Sequence, residues 1–408
     1  MTDPASLAPN QNMVQLQRLQ APDLTPALRQ WMGAPEVLAS LGTALPLTAP
    51  DQLGALFSRA DVQVWGVRVG DRFQAVYVCS LHPQHQVMRL AFGAAPDAPG
   101  LALLRDSLPR LMEMQFASGV QKISCHLLAS SVRKIWPLLR LNRHFFLEGR
   151  LRQEWLPALG CQDDVFIVSA LAQAGLQPPP GSLWLNKSAA SASHRFFRSW
   201  PSAAVGEQGS TPARLPSALV RGSTHIDTPA YHLRTLTAKD ANETLVHWLN
   251  SPQLMGSMNL PRFTFSLPSL RALLAGFDRN FNQFIGVFHR SSGELIGFYT
   301  VLVNESARHA HLALCIYPNE TSASRTMVDT ITPLTDSYFE RFAIDKITGS
   351  VLVSNRRMLL SLPHNYTFLF EGVLRQECQG EQGRLDVVVF STFRDPALRP
   401  KLGRFVPA

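Results

Sequence analysis

The sequence predicts two tandem domains of mixed α/β class, α+β-like, each a mostly antiparallel mixed sheet flanked by helices. Three observations carry this. A heptapeptide occurs twice, as Glu148-Gly149-Arg150-Leu151-Arg152-Gln153-Glu154 and Glu371-Gly372-Val373-Leu374-Arg375-Gln376-Glu377, with one mismatch and a spacing of 223 residues. Its flanks align in order: Gln15–Leu19 with His232–Leu236, Asp23 with Asp240, Trp31 with Trp248, Pro35 with Pro252, Pro109 with Pro333, Lys122-Ile123 with Lys346-Ile347, and Asp164-Val165 with Asp386-Val387. Strand and helix periodicities then follow one another in the same sequence in both halves. Such self-similarity reads as a duplicated unit of about 160 residues.

Taken in order, Val14–Leu19 alternates apolar and polar as a first strand does. Pro26–Leu41 reads as a helix with Leu28, Trp31 and Met32 on one side, and Pro50–Arg59 as a second. Val62–Val69 and Phe73–Leu81 are strands joined by Gly70-Asp71, a good hairpin turn. Val87–Phe92 is a strand, Ala98–Ala117 a helix stopped by Gly119, and Lys122–Leu128 a strand. Ser131–Leu141 is helical, with a kink or break expected at Pro137. Phe145–Trp155 and Asp164–Leu171 close the half.

Residues 172–230 read as a basic connecting segment rich in Pro and Ser, although Leu183-Trp184-Leu185 and Phe196-Phe197 suit a surface-bound stretch better than a free linker. The second half has strands at Tyr231–Leu236, Phe284–His289, Leu295–Asn304, Ala310–Ile316, Lys346–Leu352, Phe368–Glu377 and Leu385–Thr392. Its helices are Ala238–Asn250, Leu267–Phe277, Ser324–Phe342 and Arg356–Leu362. The domain reading is therefore 1–171, connector 172–230, 231–393, and a basic tail 394–408.

An apolar content of 46% with 17% charged residues is that of a soluble globular protein. The net charge of +8 favours an anionic partner, without choosing among a phosphorylated cofactor, an acidic carrier protein, nucleic acid such as RNA, or a membrane surface. Cys79, Cys125, Cys161, Cys315 and Cys378 form no C-x-x-C pair and are odd in number, which reads as reduced thiols in the cytoplasm. Met1-Thr2-Asp3-Pro4 does not open a signal peptide, and no run of 18 apolar residues spans a membrane. Zinc spacings, P-loops, G-x-S-x-G and dinucleotide fingerprints are missing, so no metal is expected, and the pairs His82/His85 and His309/His311 read as strand residues.

Four short motifs of the second half stand in order: Leu233-Arg234-x-Leu236-Thr237-x-x-Asp240, Trp248-Leu249-Asn250, Ile296-Gly297 and Phe370-Glu371-Gly372. With the order of elements they resemble the GNAT superfamily of acyl-CoA-dependent N-acyltransferases. The branch that acetylates ribosomal-protein N-termini and related amines is the most similar. The resemblance covers residues 231–393, and reaches the first half through the repeat.

The resemblance implies an N-acyltransferase that takes acyl-CoA, acetyl-CoA above all, as co-substrate. The acceptor is an amine: a small molecule, a protein N-terminus or a lysine. It implies that the strand His311–Ile316 splays from its neighbour and that Leu314, Cys315 and Ile316 pair through their backbone with pantetheine. The turn and helix start at Ser322, Ala323, Ser324 and Arg325 would hold the pyrophosphate. The family's glycines are replaced there by Thr321-Ser322-Ala323-Ser324. Asn355 stands at the amide position that contacts the cofactor arm, and also suits a helix N-cap.

For the chemistry, His311 stands where the family places a glutamate base, with Val87 as its expected counterpart in the first half. Tyr366 and His364 are the candidates for protonating the leaving thiolate. The first half carries Pro96 and Pro99 in the turn, each removing an N–H donor, so it reads as a degenerate copy. Two rivals stay open: an inactive GNAT-like scaffold, and a transferase whose donor is an acyl carrier protein or aminoacyl-tRNA. A homodimer also stays open.

Overall fold

Two units make up the chain, Met1–His194 and Arg195–Ala408. The computed structural model describes residues 14–45, 47, 49–141, 145–172, 222–255, 264–317, 323–361, 368–380 and 383–399. The aromatic stretches expected within 183–200 therefore lie outside the described residues.

The first unit starts with β1 (Gln15–Arg18), α1 (Pro26–Met32) and α2 (Pro35–Gly42). One helix was expected over Pro26–Leu41. Pro35 divides it, because proline suits the first position of a helix and drives the residue before it into extended backbone, as at Ala34 (ψ 137°). The helix expected from Pro50 is a 3-10 helix, Pro50–Ser58. Then come β2 (Val62–Val69), β3 (Arg72–His82), β4 (Val87–Ala94), α3 (Gly100–Ala117), β5 (Lys122–Leu128), α4 (Ala129–Leu141), β6 (Phe146–Leu156) and β7 (Cys161–Leu171). α4 is continuous through Pro137, so of the kink or break expected there the break does not occur. Strand order is β1-β2-β3-β4-β5-β7-β6, all antiparallel at the pairings described except the parallel β4–β5.

The second unit contains β8 (His225–Asp227), β9 (Tyr231–Thr235), α5 (Glu243–Asn250), α6 (Pro252–Met255), α7 (Leu267–Gly276), β10 (Asn282–His289) and β11 (Leu295–Asn304). It continues with β12 (His309–Ile316), α8 (Ala323–Arg341), β13 (Lys346–Leu352), α9 (Arg356–Ser361), β14 (Leu369–Gly380) and β15 (Gly383–Phe393). Strand order is β8-β9-β10-β11-β12-β13-β15-β14, with β12–β13 the parallel pair. β8 falls in the stretch read as connector. It is held there because Arg341 donates to the Gly222 carbonyl and the Thr224 hydroxyl. The tail read from residue 394 is likewise packed as far as Arg399: Arg394 donates to the Phe342 and Ile344 carbonyls, and Arg399 to that of Phe393.

Alternation along each strand sends side chains to both faces of each sheet. In the second unit, Ile285, Val287, Tyr299, Val301, Ala310 and Leu312 pack with Ile331, Leu334 and Tyr338 of α8. Phe284, Phe298 and Cys315 pack on the other face with Leu245, Trp248 and Leu270 of α5 and α7. Each fully buried Leu, Ile or Phe contributes about 1.5–3 kcal/mol.

The heptapeptide has a structural explanation in both units. Glu148 pairs with Lys122 and Glu371 with Lys346, each at 2.8 Å, and all four side chains are at most 2% exposed. Ser169 and Ser391 donate to the same carboxylate oxygen, Oε2, at 2.7 and 2.6 Å. Further along, Gln153 (φ 52°) and Gln376 (φ 49°) form bulges in the left-handed region. Their N–H groups donate to Asp164 and Asp386 at 2.9 and 2.8 Å. A buried charge needs such a partner set, and the bulge residue needs a capping acceptor.

Candidate active site

β12 and β13 pair in parallel over only four residues, His309↔Lys346 to Leu312↔Gly349. Beyond that, among the described residues, Ala313–Ile316 pair only with β11 and Ser350–Leu352 only with β15. The strands thus fork, and the facing edge of Ala313–Ile316 is left outside any ladder. Gly349 sits at the fork: a Cβ there would meet the Phe390 ring at 2.5 Å and the Leu312 carbonyl at 3.3 Å. An isolated glycine inside a strand marks such close approach, and that signal was open to sequence reasoning but missed. Gly297 of the Ile296-Gly297 motif has a similar role on the other side, where a Cβ would lie 2.7 Å from the Cys315 carbonyl.

Leu314 is half-buried and packs with Val353 and Met358 against the α8-side core. Cys315 is buried, and burial pushes its thiol up to about 12, so it is a packing residue and not a nucleophile. Ala323, Ser324 and Arg325 open α8, whose first turn has no acidic residue. Arg325 reaches Asp329 at 3.4 Å but is 81% exposed, a pairing worth little in water. The first N–H groups of a helix have no partner within it, so a helix start with a cation beside it suits an anion. Asn355 accepts from the Met358 N–H at 3.1 Å, so its side chain caps α9. Ser322, His364 and Tyr366 lie outside the described residues.

His311 is exposed and stands between Leu302 of β11 and Thr348 of β13, two residues before the fork. Leu302, beside it, is 56% exposed. Both lie on the sheet face opposite α8. The neighbouring His309 meets the Thr348 hydroxyl at 2.8 Å, and Thr348 meets Ser391, which donates to Glu371.

The first unit has the same fork, with Val87–Leu90 paired to Lys122–Cys125. Register corrects one expectation. The residue opposite Ser124, as His311 is opposite Thr348, is Arg89, while Val87 corresponds to His309. The expected counterpart was two residues off, because the segment between β4 and β5 is two residues shorter than that between β12 and β13. Beside this fork, Leu90, Phe92, Leu104, Leu108, Cys125, Leu127 and Ile135 line a cavity of about 20 Å³. That volume is about one water's worth. Its turn spends its donors internally, Ala95 N–H on Gln74, Ala98 N–H on Ala95 and Gly100 N–H on Ala98.

The remaining family-like motifs are architectural. Asp240 accepts from the Thr237 N–H and hydroxyl and from Arg234, closing a capping box, and Asp23 accepts from the Gln20 N–H in the same way. Trp248 stacks on Tyr317, the residue after β12, at 4.8 Å. Asn250 both donates to and accepts from the Phe265 backbone.

No family model matches the chain, and no curated protein matches it. Among solved structures it is similar to RimL, a ribosomal L7/L12 α-N-protein acetyltransferase in complex with coenzyme A, at 16% identity and TM-score 0.37 over 42% of this chain and 98% of that one. It is similar to a spermidine N-acetyltransferase from Vibrio cholerae in complex with CoA and spermine, at 19% and 0.36 over 41% and 96%. It is also similar to the microcin C7 self-immunity acetyltransferase MccE in complex with acetyl-CoA and AMP, at 15% and 0.36 over 41% and 93%. At such identities and TM-scores these likenesses add no weight to the strand order described above. These three structures are acetyltransferases, and the superfamily that the chain's own motifs resemble is GNAT.

Proposed function

We propose that the second unit is an acyl-CoA-dependent N-acyltransferase, moving an acetyl or short acyl group to an amine, and that the first is a degenerate duplicate. The observation that supports it best is the fork of β12 and β13, with the start of α8 following β12. The strand edge at Ala313–Ile316 offers N–H and C=O groups to an amide-bearing arm. The start of α8 at Ala323 and Arg325 offers helix N–H groups and a cation to a pyrophosphate, and Ser322 and Ser324 are the hydroxyls that the resemblance assigns to it. Asn355 keeps its amide N–H₂ for the same arm while its oxygen caps α9.

The acyl donor supplies an activated thioester carbonyl. His311 takes the proton from the attacking amine, directly or through a water, so that nitrogen can attack with its lone pair free. The carbon–sulfur bond then breaks, and Tyr366 or His364 returns a proton to the sulfur. In the first unit the prolines at 96 and 99 and Arg89 at the His311 register speak for loss of this function.

The test is acetyl transfer from acetyl-CoA to a panel of polyamines and peptide N-termini, followed by thiol release. His311→Ala should lower kcat by about 10²- to 10⁴-fold with little change in acetyl-CoA affinity, and the rising limb of the pH–rate profile should vanish. Full activity of His311→Ala would place the base elsewhere. Absence of both transfer and binding would favour the scaffold reading.

A further inference from the structure

β8 and β9 form a short antiparallel hairpin in the register His225↔Arg234, Ile226↔Leu233 and Asp227↔His232. Alternation turns Ile226 and Leu233 into the core. It leaves His225, Asp227 and His232 together on the other face, with their ligating atoms all within 4.8 Å of one another. His232 Nδ1 lies 2.8 Å from an Asp227 oxygen, and the two imidazole rings meet edge to face at 4.4 Å. His225 and Asp227 are exposed and the His232 side chain is 24% exposed, so water and ions reach all three.

We propose that His225, Asp227 and His232 bind a divalent transition-metal ion of the zinc type. Two imidazole nitrogens and one carboxylate oxygen are a borderline-soft donor set that suits Zn²⁺, Ni²⁺ or Cu²⁺ and disfavours the oxygen-seeking Mg²⁺ and Ca²⁺. Three protein ligands leave a position open to water or to a fourth ligand. The backbone beneath them is fixed: Thr224 just before β8 is buried and hydrogen-bonded to Gln283 at 2.6 Å, and Thr228 just after it is tied to Tyr231. The ligands thus stand on paired strands rather than on a loop, which lowers the ordering cost of binding. Of the nearby cations, Arg234 is drawn away to Asp240 and over the Phe288 ring, and Arg290 donates to the Thr228 carbonyl. A bound ion would join β8 to β9 and raise the stability of that hairpin by linkage.

The experiment is titration calorimetry of zinc chloride into the full chain after chelator treatment and dialysis, with Co²⁺ absorption as a second readout. One saturable zinc site per chain and visible bands of low-symmetry Co²⁺ are expected. His225→Ala and His232→Ala should each weaken binding by at least the roughly 10- to 100-fold typical of losing even an outer-shell partner. His82→Ala should leave it unchanged. All three histidines are exposed or half-exposed, and unchanged circular dichroism shows that the variants stay folded. The proposal falls if there is no saturable binding at millimolar zinc, or if the double variant His225→Ala/His232→Ala binds as the parent does.

Discussion

Replacing Lys346 by Met tests the buried pair at the heart of the second unit. The ammonium lies 2.8 and 3.0 Å from the two oxygens of Glu371, with the side chains 2% and 0% exposed. Met fills the stem's volume but takes away the charge, so Glu371 keeps its bond from Ser391 at 2.6 Å and loses its counter-ion. Breaking one side of a buried pair costs about 3–5 kcal/mol. For a unit of this size, at about 2–4 °C per kcal/mol, the midpoint should fall by roughly 6–20 °C. Scanning calorimetry reads this, and Lys122→Met, the matching change in the first unit, identifies which part of the endotherm belongs to which unit. The double variant Lys346→Met/Glu371→Leu removes both charges and should recover most of the loss, since apolar replacement of a buried pair is often neutral. A loss under about 1 kcal/mol for Lys346→Met, the scale of an ordinary hydrogen bond, would refute the reasoning. So would a double variant no better than the single one.

Gly349→Ala places a methyl 2.5 Å from the Phe390 ring and should cost about 1–3 kcal/mol of overpacking, read by urea unfolding. Asp240→Ala removes the capping acceptor and should cost about 1 kcal/mol at neutral pH. Burial pushes the Asp240 carboxyl up, but bonds from Arg234 and Thr237 outweigh it and hold it below its ordinary value. The group's contribution is therefore full above the unfolded carboxylate value and lost as pH falls through the folded one, so parent and variant should converge in acid. Arg89→Ala, at the register of His311 in the first unit, should leave transfer kinetics at the parent value.

Element order was readable because the strands alternate sharply and are punctuated by Gly and Pro; Val62–Val69, Lys122–Leu128, Leu295–Asn304 and Lys346–Leu352 end where expected. Local backbone chemistry caused the differences. Proline started a new helix at Pro35, where hydrophobic spacing alone suggested continuity. β8 was hidden because three residues carry no period, and it is held by side chains distant in sequence, Gln283 and Arg341. The repeated heptapeptide was found easily, but its meaning was not: a charged Glu and a Gln look like surface chemistry until Lys122, Lys346, Asp164 and Asp386 are seen against them. Of the site, the fork and the helix start were legible through the family resemblance. The counterpart of His311 was not, because an insertion of two residues between matched motifs shifts register without leaving a mark on either.

Calorimetry of acetyl-CoA binding to the full chain tests the central claim most directly. One site per chain is expected, with Arg325→Glu weakening it severalfold or more and Asp97→Ala in the first unit's turn leaving it unchanged. Two equivalent sites, or one site that responds to Asp97 and not to Arg325, would contradict the assignment of binding to the second unit.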